Sequence, residues 1–321
     1  MIAVVSPALA LADPAFVARI RHECEVQGIQ DAVQRHDSAA IFDWLLEKMQ
    51  YQGMSDANVN RFLTANPTAT WSELREGVGA ATCPRLGSYW HFAECGFRKS
   101  AWSCAEPNLL PSCPLPGHPF RNGRLSQAAY SLFLFIRDIC AGDLVGWIDM
   151  RLEAAAGDAG LSGNHAFRSA ILEPMSNIYG MGHKILSMSL SDLLIGADPQ
   201  REKWVSAGAS MIAVDTLVHN FLHRTGILRR RGGDHPYGPA CYLPGGCAEI
   251  ILDMASRVDT RTINPDFPAG FPRFVQHAIW RFCAQSQRNI CNGNRIDDRR
   301  GCQSFFCPIY DRCDREALWR T

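Results

Sequence analysis

Apolar residues recur at helical spacing along much of the chain. After Asp37 or Ser38, apolar residues recur at every fourth position, namely Ile41, Leu45 and Met49. This pattern predicts an amphipathic helix whose N-terminus is capped by the side chain of Asp37 or Ser38. The stretch SQAAYSLFLFIRDICAG is apolar on most sides and predicts a buried helix. A third helical stripe consists of Val275, Ile279, Phe282 and Cys283. No segment alternates polar and apolar residues between hairpin turns, so the pattern predicts an all-α fold.

The predicted helices group into two domains that flank a cleft. We expect residues 1–40 to form an N-terminal helix that packs on a C-terminal helical domain at 205–321. Residues 41–204 are expected to form a helical barrel domain. Residues 83–123 and 228–246 are irregular and longer than most connections in a compact domain, which often indicates a functional loop.

Composition limits the classes of protein and partner. Lysine plus arginine and aspartate plus glutamate both number 32, so the formal net charge is zero. This balance argues against coating nucleic acid by bulk charge but allows a local basic face. No apolar run reaches the roughly 18 residues of a membrane helix, and the N-terminus lacks the basic start of a secretory signal. We therefore expect a cytoplasmic monomer without a membrane partner.

The chain contains thirteen cysteines. An odd number argues against a fully paired disulfide framework, and five of them lie between Cys283 and Cys313. In a cytoplasmic chain, such a terminal group indicates metal or iron–sulfur ligation rather than disulfides.

The segment NIYGMGHKILSM, from Asn177 to Met188, contains a tight glycine turn between two helical stretches. A phosphate-binding P-loop is excluded because Lys184 is followed by Ile185 and the glycine spacing is wrong. A dinucleotide fingerprint is excluded because a preceding strand and a third glycine are missing. Gly180 and Gly182 permit a sharp helical hairpin. The free N–H groups at the start of its second helix can bind one DNA phosphate.

A second candidate segment is SMIAVDTLVHNFLHRTGIL. Asp215 precedes an apolar helical stripe, and Gly226 is suited to end that helix. Taken alone, Asp215 or Thr216 is most simply a helix N-cap.

The two segments together resemble the helix-hairpin-helix DNA glycosylases of the endonuclease III superfamily. IYGMGHK is similar to that family's hairpin, which we place at about 171–190, and IAVDTLVHNFLHRTGI to its Val-Asp-Thr helix. By this resemblance, Lys184 matches the catalytic lysine of the bifunctional members and Asp215 the aspartate found across the superfamily. The hairpin residues implied to bind double-stranded DNA are Gly180, Gly182 and His183.

The C-terminal segment QRNICNGNRIDDRRGCQSFFCPIYDRCD resembles the loop that closes many of these enzymes around a [4Fe–4S] cluster. The resemblance implies that the loop spans 283–313 and that the ligands are Cys291, Cys302, Cys307 and Cys313. Thiolates at irregular spacing also suit zinc. Cys283 lies on an apolar stripe and is expected in the core, although it remains an alternative ligand.

The sequence also departs from the family. Lys184 and Asp215 are 31 residues apart, which is longer than in endonuclease III itself, and an insertion near LLIGADPQREKW would explain the difference. Leu217 and Asn220 stand where the family has a histidine and an arginine. Cysteine spacing is also looser than in the family's loop. These changes concern backbone contacts more than the catalytic pair.

The implied activity is excision of a damaged or modified base, followed by AP-lyase cleavage. Ionised Asp215 would stabilise the cationic sugar, and Lys184, made partly neutral by desolvation, would attack C1′ once the base has left the stack. Lys184 as a simple phosphate contact is the alternative. Two other functions stay open. One is a glycosylase-fold enzyme of thymine hypermodification, and the other is a non-catalytic DNA-binding module.

The irregular segment 83–123 has no counterpart in the resemblance. A second metal site would use its four cysteines and two histidines, but the lack of a Cys-x-x-Cys pair favours free thiols. These residues are Cys83, Cys95, Cys104, Cys113, His91 and His118. A substrate pocket formed by Cys113, His118 and Arg121 is another interpretation. Earlier in the chain, Gln52 follows the first barrel helix and is a candidate wedge into the duplex.

Overall fold

The structure, a computed structural model, is built of helices and connecting turns in the part of the chain that it describes. It describes residues 1–49, 61–62, 64–93, 95–97, 103–115, 124–157, 163–231, 233–293 and 296–318. Over these ranges no strand is present, which confirms the predicted all-α class. The chain forms two compact units, one made of Met1–His22 with Val205–Thr321 and the other of Glu23–Trp204.

The unit of Glu23–Trp204 is built around α4, which contacts α3, α5, α7 and α10. Helix α7 lies within its core, since every residue from 125 to 136 is buried. Helix α2 runs Phe16–Val26, so the unit boundary falls within it. The other helices are α3 (Ile29–Gln34), α4 (Ser38–Met49), α5 (Trp71–Ala80), α6 (Tyr89–Phe92), α7 (Arg124–Asp138), α8 (Leu144–Gly157), α9 (Gly163–Met175) and α10 (His183–Gly196).

The unit that contains the C-terminus is built around α15, which contacts α1, α12 and α14. The α-helices of this unit other than α2 are α1 (Ile2–Ala10), α11 (Glu202–Ser210), α12 (Thr216–Arg224), α13 (Ile227–Arg230), α14 (Cys247–Ala255) and α15 (Pro272–Cys283). Short 3₁₀ turns at Pro239–Tyr242, Thr260–Thr262 and Tyr310–Arg312 connect the rest. The predicted stripe of α15 is fully buried, including Cys283.

Local sequence signals explain where several helices begin and end. Asp37 accepts a hydrogen bond from the Ala40 amide at 3.0 Å and caps α4, as its position predicts. Gly226 ends α12 with a left-handed backbone at φ 70°, and side chains disfavour that conformation. A Cβ on Gly226 would lie 1.8 Å from a carboxylate oxygen of Asp314, so glycine is required twice over. None of the described helices is both long and apolar enough to cross a membrane.

Candidate functional site

Helices α9 and α10 form a helical hairpin whose turn depends on glycine. Gly180 has φ 72°, and Gly182 is the N-cap of α10 with an extended backbone. Because Gly182 has no side chain, no side-chain cap covers the first amides of α10. The next residues are His183, which is only partly exposed, and Lys184, which is half-buried.

Basic side chains lie near this end of α10. Burial lowers the pKa of His183, and the neighbouring charge of Arg168 on α9 lowers it further. Lys184 lies in the same first turn, where the helix dipole already favours anions. The start of α10 therefore combines a glycine N-cap with the basic side chains of Lys184 and Arg168 nearby.

Asp215 is the N-cap of α12. Its Oδ1 accepts a hydrogen bond from the Val218 amide at 2.9 Å, so the capping interpretation of this aspartate is confirmed. The preceding residues, 211–214, are buried and fix the entry into the helix. Burial raises the pKa of Tyr237, and the charge of Asp215 raises it further, so this tyrosine lies close to the carboxylate. Lys184 belongs to the other compact unit.

Two histidines and two cysteines converge one helical turn beyond Asp215. The ligand atoms of His219, His235, Cys241 and Cys247 all lie within 4.8 Å of one another. His219 Nδ1 is 3.4 Å from Cys247 Sγ and 3.6 Å from Cys241 Sγ, and Cys247 Sγ is 3.7 Å from His235 Nε2. Two neutral nitrogens and two thiolates are a donor set that binds zinc. These four residues can hold a metal ion.

Each ligand comes from a different local element. His219 lies on α12, His235 in the segment that follows α13, Cys241 in a 3₁₀ turn, and Cys247 at the first position of α14. The chain must pass very close to itself between the two cysteines. A Cβ on Gly246 would meet the carbonyl oxygen of Ala240 at 2.4 Å, so only glycine fits there.

This group was missed by sequence reasoning, although the segment 228–246 was expected to be functional. The spacing His219-x15-His235-x5-Cys241-x5-Cys247 contains no short Cys-x-x-Cys or His-x3–5-His pair. His219 also occupies a helical position that the apolar pattern explains by itself. The signal that remained was two cysteines and one histidine within a Gly- and Pro-rich loop.

The hydrogen bond between the Cys241 and Cys247 thiols shifts their two pKa values in opposite directions. It holds the pKa of Cys241 well below its usual range, and it raises that of Cys247 together with burial.

A cavity of about 560 Å³ opens beside the metal group. Its wall is polar and includes one face of α12 together with the loop that carries His235. The lining residues are Thr216, His219, Asn220, His223, Asp234, His235, Pro236, Tyr237, Asp298 and Leu318. His223 and Asp234 face each other at 3.5 Å.

The four cysteines expected to hold a [4Fe–4S] cluster lie near one another. Burial raises the pKa of Cys307 and of Cys313 to about 11, and in both cases the thiol of Cys291 contributes. Cys302 also contributes to both shifts. Cys283 hydrogen-bonds to Cys291 and lowers the pKa of that thiol, so its possible part in ligation stays open.

A buried arginine faces this cysteine group. Arg224 is 1% exposed, forms an ion pair with Asp298, and its charge further lowers the pKa of Cys291. Among the described residues, its Nε and Nη1 atoms have no hydrogen-bond partner. A buried cation of this kind favours an anionic neighbour.

The cysteines of the irregular segment 83–123 also interact electrostatically with one another. Burial raises the pKa of Cys113, and Cys104, Cys95 and Cys83 raise it further in that order. Cys104 Sγ accepts the amide of Glu106 at 3.3 Å, and Gln127 Nε2 lies 3.8 Å from Cys95 Sγ.

The proposed substrate pocket around Cys113 is described only in part, because His118 and Arg121 lie outside the described residues. Gln52 also lies outside them. The residue after Cys113, Pro114, lines a cavity of about 490 Å³ together with Thr70, Leu125 and Tyr130.

The three arginines at 229–231 form ion pairs with acidic residues of the same chain. Arg229 pairs with Asp314 at 2.9 Å and with Glu316 at 2.8 Å, and Arg230 pairs with Asp314 as well. Arg231 pairs with Asp253. Arg229 and Arg230 therefore tie the segment around Asp314 to α13, and Arg231 ties the end of α13 to α14.

Comparison with known proteins identifies no relative of this chain. No protein-family model, no curated protein and no solved structure matches the chain.

Proposed function

We propose that the protein is a DNA glycosylase with AP-lyase activity that excises a damaged or modified base. The observation that carries the proposal is the α9–α10 hairpin, whose glycine turn leads into the start of α10 beside Lys184, His183 and Arg168. This arrangement suits one backbone phosphate, which positions a duplex without reading its sequence.

The two reacting groups have separate tasks in this proposal. The carboxylate of Asp215 stabilises positive charge that develops on the sugar as the glycosidic bond breaks. Lys184 Nζ then attacks C1′ and forms a Schiff base, from which β-elimination nicks the strand. The target base must first leave the stack.

Asp215 is suited to this task because its position is fixed. Its hydrogen bond with the Val218 amide orients the carboxylate. An ionised carboxylate is what the cationic sugar requires.

We further propose that Cys291, Cys302, Cys307 and Cys313 hold a [4Fe–4S] cluster. Thiolates are the usual ligands of such clusters. The buried guanidinium of Arg224 beside Cys291 supports the proposal, because it offers a positive charge to an anionic group. When bound, the cluster would stiffen a segment that otherwise consists of turns.

A borohydride trapping experiment tests the function. The protein is incubated with duplexes that carry a broad panel of modified bases, and covalent protein–DNA adducts are counted. We expect an adduct with the wild type and none with Lys184→Ala. Lys203→Ala is the matched control, because this lysine pairs with Glu153 on a helix surface and should leave trapping intact.

The same reactions distinguish the competing functions. Released free base with no adduct would leave a glycosylase without lyase activity. An intact but altered nucleoside, detected by mass spectrometry on hydroxymethyl- or pyrophosphorylated-thymine DNA, would indicate thymine hypermodification. The absence of any product, with duplex binding retained, would indicate a binding module.

A further inference from the structure

We propose that His219, His235, Cys241 and Cys247 bind one zinc ion in a closed, structural site. This site is separate from the cysteines at 291–313 and does not depend on the proposed glycosylase activity.

The distances fit tetrahedral zinc. Bonds of about 2.3 Å to sulfur and about 2.0–2.1 Å to nitrogen, at tetrahedral angles, separate a sulfur ligand from a nitrogen ligand by about 3.5 Å. The three nitrogen–sulfur distances here are 3.4, 3.6 and 3.7 Å. Among the described residues, this group alone brings three or more such ligand atoms within 4.8 Å of one another.

Hydrogen bonds alone do not account for the cluster. His219 Nδ1 lies next to both sulfurs, yet a neutral ring nitrogen carries at most one proton. Cys247 Sγ lies next to both rings and has one proton to give. Cys241, Cys247 and His219 are buried, so these polar atoms are held close together away from the surface. A single cation at the centre satisfies all four atoms.

Four protein ligands leave no open position for water or substrate. Closed Cys2His2 sites are structural, whereas catalytic zinc keeps one position free. Two sulfurs and two nitrogens in a tetrahedral arrangement also favour zinc over magnesium or calcium, which take oxygen ligands.

The metal would fix the loop between α13 and α14 onto α12. His219 is four residues after Asp215, so the two side chains lie on one face of the helix. Tyr237, from the fixed loop, lies close to Asp215. The zinc site is therefore expected to hold one wall of the cavity beside the proposed catalytic carboxylate.

Metal analysis of the full-length protein tests this site. We expect one zinc per chain in the wild type and almost none in Cys241→Ser and Cys247→Ser. Cys140→Ser is the matched control, because Cys140 is also buried but lies at the end of α7. Iron content should be the same in all four proteins, which keeps this test independent of the iron–sulfur proposal.

Cobalt substitution keeps the test decisive if a serine variant fails to fold. Wild-type protein grown with cobalt should show the strong visible absorption of tetrahedral cobalt with thiolate ligands. Zinc that remains in Cys241→Ser, zinc missing from the wild type grown with zinc, or octahedral cobalt would each overturn the proposal.

Discussion

Asp215 both caps a helix and is the proposed catalytic carboxylate, and two substitutions separate these roles. Asparagine caps a helix about as well as aspartate, whereas alanine does not. Asp215→Asn should keep the hydrogen bond with the Val218 amide but lose the charge, whereas Asp215→Ala should lose both.

The size of each effect follows from the cap geometry. Loss of the cap costs about 1 kcal/mol of unfolding free energy, and loss of the charge at the helix N-terminus costs about 0.3–1 kcal/mol. Asp215→Ala should therefore be about 1 kcal/mol less stable than Asp215→Asn, a difference of roughly 2–4 °C in Tm. Base excision should fall in both variants, on the order of 100-fold or more.

Thermal unfolding by circular dichroism measures the first effect, and single-turnover excision measures the second. Near-wild-type stability with lost excision in Asp215→Asn would identify a catalytic charge. Retained excision in Asp215→Asn would refute that role, and equal stability of the two variants would refute the capping argument.

Three further predictions concern other parts of the chain. Gly226→Ala should lower the free energy of unfolding, measured with denaturant, several-fold more than Gly28→Ala. Both glycines have φ 70°, but only at Gly226 would the new Cβ strike Asp314. Equal losses of unfolding free energy in the two variants would contradict this prediction. Burial lowers the pKa of His277 well below its usual range, so the unfolded chain takes up a proton at this histidine before the folded chain does. The free energy of unfolding should therefore fall as the pH drops below about 6.5. His277→Gln should flatten this pH dependence of stability, and an unchanged pH dependence would exclude His277 as its source. The arginines that add to this shift are Arg273, Arg19 and Arg281. Arg168→Ala should weaken duplex binding and reduce the salt slope by about 1, whereas an unchanged slope would exclude a phosphate contact.

Helices and their ends could be predicted because their causes are local. Asp37 and Gly226 act within a few residues of their own position, and the apolar stripe of α15 is visible in sequence. The metal group was not predictable in the same way. His219 and Cys247 are 28 residues apart, and the two cysteines come together where the chain folds back tightly at Gly246. The pairing of Arg229 with Asp314 likewise joins residues that are distant in sequence.

Because acidic residues near the C-terminus neutralise Arg229 and Arg230, shortening the chain has an electrostatic consequence. A version that ends after Cys313 would keep every proposed ligand but lose Asp314 and Glu316. Two guanidinium groups would then be released to solvent. Such a shortened protein would gain indiscriminate affinity for polyanions, so nucleic acid that co-purifies with it would report the truncation rather than the native binding surface.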